Sequence, residues 1–475
     1  MCRTRIVCTL GPATSTEGVL QGLIEAGMDV ARINCSHGDH AAHGRSIQMV
    51  RQIAQAQRKV IAILLDLQGP RLRVGELATG QVVLRPGQEF TLTARSVPGD
   101  DREVFVHYPD LSKDVVPGNR ILIDDGLLEL SVLWAQGQDV RCRVVTGGIL
   151  RPHKGMNLPS VQLSTPSLTD KDKEDTLFGI EQNVDYIALS FVRQAADVAS
   201  LKGFLGQHGA SIPVVAKIEK PEAVEAFGEI LKEADGIMVA RGDLGVEMAA
   251  EQVPLIQKSI IARCRQAGKP VITATQMLDS MIRNPRPTRA ESSDVANAIL
   301  DGTDAVMLSG ETAAGAYPVE AARTMARIAQ AAEEALPYQE MVSRASQAPA
   351  TNVTDAIGQA TCEIAYELGA GAIITATESG YTARMVAKHR PKTPIIGVTS
   401  NPATQKRLAL VWGVHSLLAP RCRTTDEMFE CAVQTSLQAG LISPGSLVVI
   451  TAGVPVGSAG RTNLLKVHLV GERGM

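Results

Sequence analysis

The eight cysteines (Cys2, Cys8, Cys35, Cys142, Cys264, Cys362, Cys422 and Cys431) include no Cys-x-x-Cys pair. That scatter suggests neither a zinc ligand set nor a disulfide framework, so the thiols are expected to be reduced in a cytoplasmic protein. No stretch reaches the ~18 consecutive apolar residues of a membrane-spanning helix. The first residues also lack the apolar run of a secretory signal. Net charge is scarce as well: 47 basic against 50 acidic residues leave −3, which gives no reason to expect a nucleic acid or an acidic membrane as partner. Small molecules and copies of the same chain are the expected partners. There is no Gly-x-x-x-x-Gly-Lys-Ser/Thr loop and no Gly-x-Gly-x-x-Gly turn, so neither of those cradles would hold a nucleotide. Low-complexity tracts and repeats of solenoid period are missing too.

What the chain does have is length and a recurring pattern. Its 475 residues, 45% of them hydrophobic, suit about three domains with a large apolar core. Eight short apolar runs each stop on polar residues. They are 6–9 before Gly11-Pro12, 30–33 before Asn34-Cys35-Ser36-His37, 61–65 before Asp66, and 186–189 before Ser190. The other four are 213–216 before Lys217-Ile218-Glu219, 236–240 before Arg241-Gly242-Asp243, 271–274 before Thr275-Gln276, and 305–308 before Ser309-Gly310-Glu311. Each is too short for a helix and reads as a buried parallel strand with a polar carboxyl end. Helical patterns such as 18–26, 43–57 and 195–205 separate most of them. The intervals of 26 residues from Lys217 to Asp243 and 32 from Asp243 to Thr275 are those of single strand-helix units. The α/β class follows: a (β/α)8 TIM barrel whose active face is the carboxyl end of the strands.

One gap of roughly a hundred residues interrupts the rhythm between Asp66 and the fourth strand. Within it, short alternating runs (81–85, 89–93, 119–124, 128–133) are divided by Pro-Gly, Asp-Asp-Gly and Gly-Gln turns. An inserted small β-barrel is expected at 72–166, placed over the active face as a lid. Lid closure that excludes water suits phosphoryl chemistry. The barrel would therefore occupy 1–71 and 167–342. The segment 343–351 has linker composition, and apolar runs at 372–377, 394–399 and 447–451 between helices predict a C-terminal α/β domain at 350–475.

The strand tips carry the chemistry. Glu219 and Asp243 come from adjacent strands and offer oxygen ligands without a nearby thiol or histidine, which suits Mg2+ or Mn2+. The alternative is that both carboxylates pair with Lys217, Lys220 or Arg241; spacing leaves the two open. A buried ammonium at Lys217 beside a divalent metal would need a highly anionic ligand, such as a phosphate, to balance it. Gly242 removes a side chain next to Asp243 and would let backbone amides approach an anion. Thr275 and Ser309 supply hydroxyls, Glu311 a further carboxylate, and Arg32 and Arg73 groups suited to bidentate phosphate contact.

These residues, taken as a set, resemble the pyruvate kinase family over essentially the whole chain. The matching stretches are Thr9-Leu-Gly-Pro-Ala13, Arg32-Ile-Asn-Cys-Ser-His-Gly38, Asp66-Leu-Gln-Gly-Pro70, Lys154-Gly-Met-Asn-Leu-Pro159, Lys217-Ile-Glu219, Met238 to Glu247, Thr273 to Leu278 and Asp301 to Thr312. The resemblance implies phosphoryl transfer from phosphoenolpyruvate to ADP, giving pyruvate and ATP, the last step of glycolysis. It implies that Lys217 stabilises the phosphoryl group in flight, that Glu219 and Asp243 hold Mg2+, and that Arg32 binds the phosphate. Thr275 with the Gly242 and Asp243 backbone would bind the carboxylate, and Asn34, His37, Arg73 and Lys154 the nucleotide. For protonation of the enolate, Thr275, Ser309 and Glu311 could relay through water. A homotetramer is implied by the family alone.

Two departures bear on K+. Potassium-dependent members are similar at Asn34, Ser36 and Asp66, which bind K+ with the next carbonyl, here that of Leu67 instead of threonine. Position 71 is Arg where those members carry glutamate. A fixed guanidinium would supply the charge that K+ brings, so K+ is expected not to be required. Cys35 and Gln68, where an aromatic residue and lysine are usual, should matter less. The third domain is similar to the family's regulatory domain. In it Thr377, Ser379, Gly380 and Thr382 would receive a phosphorylated effector, expected to be a sugar phosphate, with 453–460 as a matching loop. A different Mg2+- and enolate-using barrel (an aldolase or phosphoenolpyruvate mutase) and a catalytically silent paralogue are the alternatives. The lid and third domain argue against the first, and the intact tip residues against the second.

Overall fold

The computed structural model describes residues 2–159, 161, 163–341, 350–455 and 460–471. Most of the expected linker at 343–351, and residues 456–459 of the expected loop at 453–460, fall outside them. Eight parallel strands close into a barrel: Arg5–Thr9 (β1), Val30–Asn34 (β2), Ala62–Asp66 (β3), Tyr186–Leu189 (β4), Val214–Ile218 (β5), Gly236–Ala240 (β6), Val271–Ala274 (β7) and Ala305–Leu308 (β8). All eight expected runs are strands, and β1 pairs with β8 to complete the ring. Nearly every strand residue is buried, because helices cover the outside while side chains such as Val7, Leu64, Val215, Met238 and Ile272 fill the inside. That is why the runs read as continuously apolar rather than alternating.

The amino ends of the strands share a local device. Asp29, Asp185, Asp235 and Asp304 each stand one residue before an even-numbered strand. Their carboxylates accept the backbone N–H of Ile6 (2.9 Å), Ile63 (2.8 Å), Val214 (2.9 Å) and Val271 (3.1 Å) on the preceding strand. In each case the aspartate's own N–H donates to the carbonyl of that same partner. The first rung of every odd–even strand pair is thus closed by a side chain, satisfying an amide that would otherwise be buried and unpaired.

The insert is a six-stranded sheet, whose end strands are Glu103–Phe105 and Met156–Asn157, with a two-stranded ribbon of Val82–Leu84 and Gly148–Leu150. The short segment Arg73-Val74 joins its two edges, pairing with Gly155 on one side and Val106 on the other. Closure of this small barrel therefore depends on the chain just leaving β3. Gly69 makes that exit possible: its φ is +67°, and a β-carbon there would stand 2.7 Å from Phe191 Cδ2. The C-terminal unit has a five-stranded sheet, parallel except for its last strand, in the order Val414–Leu418, Ile395–Thr399, Ala372–Ala376, Leu447–Ala452, Leu464–Leu469. The two edge strands were not foreseen; their half-exposed, mixed-polarity residues carry no continuous apolar run. Among the described residues no helix is long and apolar enough to cross a membrane.

Candidate active site at the carboxyl ends of the strands

Four side chains from three strand ends form one buried ionic network. Asp66 at the end of β3 takes Arg32 Nε from β2 at 2.7 Å and Lys217 Nζ from β5 at 3.2 Å. Lys217 also meets Glu219 Oε1 at 2.9 Å and donates to Ser190 Oγ at 2.7 Å. Burial is the largest influence on Lys217 and would discharge it, yet Asp66 and Glu219 together overcome it and hold the ammonium above its usual range. Burial likewise opposes the charge on Asp66, but Arg32 and Lys217 outweigh it and keep the carboxyl below its usual range. Glu219 moves the other way, raised by burial and by the neighbouring charge of Asp243.

The alternatives left open for Glu219 and Asp243 divide. Glu219 does pair with Lys217. Lys220 instead binds Glu247 at 2.6 Å, and Arg241 binds Asp294 at 2.7 Å and the Thr275 carbonyl at 2.8 Å. Asp243 has no hydrogen-bond or ion-pair partner among the described residues. No cluster of three or more His, Cys, Asp or Glu residues suited to a metal occurs among those residues. Two carboxylates, one of them unengaged, still fit a hard divalent cation that keeps water and substrate oxygens as its other ligands.

Thr275 and Gln276 both take positive φ, +69° and +53°, an uncommon conformation for a β-branched residue. It brings Thr275 Oγ1 to 2.7 Å from the Gly242 N–H. The Gly242 amide, expected to face an anion, is therefore already engaged. A β-carbon at Gly242 would make only ordinary contact, 3.4 Å from that hydroxyl. Glu311 is buried, its carboxyl raised by burial, and it accepts from the N–H groups of Leu278 (3.1 Å) and Ser309 (2.7 Å). It ties the β7 and β8 loops together. The Ser309 hydroxyl is buried with no partner.

Of the expected nucleotide residues, His37 and Arg73 come close to one another at the seam between barrel and insert. His37 is lowered by burial and then by Arg73, Arg71 and Arg32, so it is neutral near pH 7. Arg73 Nη1 donates to the His153 carbonyl at 3.2 Å, and Lys154 pairs with Asp124 at 2.8 Å. Arg71 passes beside Gly155 and lines a cleft with Lys220 and Asp243; its side chain has no partner among the described residues. Of the expected K+ ligands, the Asn34 side-chain Oδ1 accepts from Ser36 N–H at 3.2 Å, the Leu67 backbone carbonyl accepts from Ser190 Oγ at 2.7 Å, and Asp66 is doubly paired.

Sequence reasoning passed over Ser190, Asn157 and Glu247. Ser190 reads in the sequence as the polar stop of β4 with no part in the site, yet in the structure it accepts from Lys217 Nζ at 2.7 Å. Asn157 Nδ2 donates to Glu247 Oε1 at 3.0 Å and so joins the insert to the barrel, a contact no local pattern reveals. In the C-terminal unit Thr377, Ser379 and Thr382 line a cavity of about 130 Å3 with Arg421 and Arg461, and the Thr382 hydroxyl already contacts that of Thr462 at 2.9 Å. Gly380 is not among the lining residues; at φ +76° it begins the helix Tyr381–Ala387.

A closed parallel barrel with an inserted β-sheet unit and a mixed-charge site at its strand tips is an enzyme of the (β/α)8 class. Its family is shown by comparison: residues 1–322 match the family model described as the pyruvate kinase barrel domain, and 355–468 match the pyruvate kinase alpha/beta domain. The chain belongs to the pyruvate kinase family, whose members generally use a divalent metal. It is 53% identical over 473 residues to a pyruvate kinase of Geobacillus stearothermophilus, covering 99% of this chain and 81% of that longer protein. A pyruvate kinase of Clostridium acetobutylicum is 47% identical, covering 99% and 100%. The crystal structure of a pyruvate kinase from Cryptosporidium parvum superposes with a TM-score of 0.92 at 39% identity, covering 98% of this chain and 96% of the other.

Proposed function

We propose that this enzyme transfers the phosphoryl group of phosphoenolpyruvate to ADP, and that the observation carrying the assignment is the Lys217 ammonium held between Asp66 and Glu219 beside Arg32. Asp66 and Glu219 balance the ammonium and the guanidinium, so a divalent cation added at Glu219 and Asp243 would leave an excess of positive charge that an anion of high charge, such as a phosphate, offsets. Positioning and charge stabilisation are what phosphoryl transfer asks of a protein. Lys217 then faces the migrating phosphoryl group, and Arg32 its oxygens. Thr275 and the Asp243 backbone orient the carboxylate, with the Gly242 amide holding the Thr275 hydroxyl in place. Glu219 and Asp243 would hold Mg2+ or Mn2+, which would supply charge neutralisation for the transferring phosphoryl group. Asn34, His37, Arg73 and Lys154 receive the nucleotide. Among Thr275, Ser309 and Glu311, Ser309 alone has a buried hydroxyl with no bond already made, and it is the group we assign to proton delivery, with Glu311 fixing its turn. This reading goes with a barrel at 1–71 and 167–342, a lid at 72–166 and a regulatory unit at 350–475, assembled as a cytoplasmic homotetramer. A phosphorylated effector would bind at Thr377, Ser379, Gly380 and Thr382.

The test is a lactate-dehydrogenase-coupled assay with phosphoenolpyruvate, ADP and Mg2+. Metal-dependent pyruvate release is expected, and its absence from folded protein would refute the assignment. Arg71 supports a second statement: K+ is not required. Full turnover is expected when K+ and Na+ are replaced by an inert organic cation, whereas Arg71→Glu should create a K+ requirement. Loss of wild-type activity in the organic cation would sink the idea.

A further inference from the structure

The amino ends of β4 to β7 face the C-terminal unit across a cavity of about 430 Å3. Its walls include Tyr186, Asp235 and Lys269 from the barrel and Tyr381, Arg384 and Arg407 from the C-terminal unit. Two of the four cations around it are accounted for. Lys202 pairs with Asp235 at 3.2 Å and Glu233 at 3.8 Å, and Lys269 donates to the carbonyls of Leu231, Lys232 and Ala234 at 2.6–2.8 Å. Arg384 and Arg407 have no carboxylate within ion-pair distance among the described residues, although the charge of Arg407 is felt by Asp185. Each makes only a carbonyl contact, Arg384 Nη1 to Ser379 at 3.3 Å and Arg407 Nη2 to Ser211 at 2.8 Å, and Arg407 Nε is buried and unpartnered. The Tyr186 hydroxyl, which donates to the Arg407 carbonyl at 2.8 Å, feels both guanidiniums.

Two guanidiniums with forks to spare, on a cavity of metabolite size, match the geometry and charge of a phosphate group. We propose that this interdomain cavity is an anion site for inorganic phosphate or a small phosphomonoester, held by Arg384 and Arg407. It lies at the opposite end of the barrel from Lys217 and is separate from the cavity around Thr377 to Thr382. Ser379 and Tyr381 line both cavities, so an occupant of one fixes a wall of the other. A bound anion also bridges the barrel base to the C-terminal unit and stabilises their contact.

Calorimetric titration of the full-length protein with inorganic phosphate, and separately with glycerol 3-phosphate, tests this. The R384Q/R407Q variant is expected to lose one phosphate site per chain, or to bind it at least roughly tenfold more weakly. Arg461→Gln, in the neighbouring cavity, should keep that site. Tighter binding of glycerol 3-phosphate than of phosphate would identify the occupant as a phosphomonoester, and the reverse as free phosphate. Undiminished stoichiometry and affinity in R384Q/R407Q overturns the proposal. Should the glutamine pair weaken the domain contact, seen as a lower melting temperature without ligand, R384K/R407K keeps the charges. It is expected to bind phosphate more tightly than the glutamine pair but more weakly than wild type, because an ammonium keeps the charge and lacks the fork, and a lysine pair that binds no better than the glutamine pair also overturns the proposal.

Discussion

The two ends of the barrel carry acids of the same type that behave in opposite ways. At the amino ends, Asp29 and Asp185 are raised by burial, and each carboxylate accepts a backbone amide of the adjoining strand. At the carboxyl ends, Asp66 is held below its usual range because Arg32 and Lys217 outweigh burial. The difference is one of the number of charged partners: Asp185 has no ion-pair partner among the described residues and Asp29 has one, Arg5 Nη1 at 3.0 Å, whereas Asp66 has two. An acid facing an amide closes the fold, whereas an acid facing two buried cations stores a charge arrangement that a substrate can use.

The strongest test of that contrast is Lys217→Met. Turnover in the coupled assay should fall on the order of 10²- to 10³-fold while the fold persists; near-normal rates would remove Lys217 from the chemistry. Asp66→Asn comes next. It leaves Arg32 and Lys217 buried beside a neutral group, which should cost about 3–5 kcal/mol in denaturant unfolding. Because the folded Asp66 is depressed, its contribution is complete above its ordinary value of 3.8 and is lost as pH falls through the folded value. A pH-independent difference between wild type and Asp66→Asn across the acid range would contradict the pairing.

At the other end the effects are smaller and the pH sense reverses. Asp185→Ala abandons the Ile63 N–H and should cost about 1–3 kcal/mol. Asp185→Asn keeps an acceptor and should be within about 0.5 kcal/mol of wild type at neutral pH. Its raised folded value means that the favourable contribution of Asp185 is present below 3.8 and is lost as pH rises through the folded value. If Asp185→Asn were as damaging as Asp66→Asn, the two ends would not differ as described.

The strands were legible because a buried parallel strand leaves a local mark, an apolar run with a polar stop. Glu219, Lys217, Asp243 and Thr275 were visible for the same reason. The four amino-end aspartates were equally visible, one before each even-numbered strand, yet they were not picked out, since an acid preceding an apolar run looks like any loop residue. The bond from Asn157 to Glu247 and the bridging of the insert's edges by Arg73-Val74 left no mark, because their partners are far apart in the chain.

By itself the sequence determined the eight strands, the barrel interrupted by a β-rich insert and the polar residues at the strand tips, all of which follow from short-range polarity and from motifs. Which charge faces which was decided only by the tertiary structure. It set Lys217 between Asp66 and Glu219, diverted Lys220 and Arg241 to other acids, left Asp243 unengaged, and brought Arg384 and Arg407 together under the barrel. Pairing energies depend on distance and burial, and neither is a property of a residue's position along the chain.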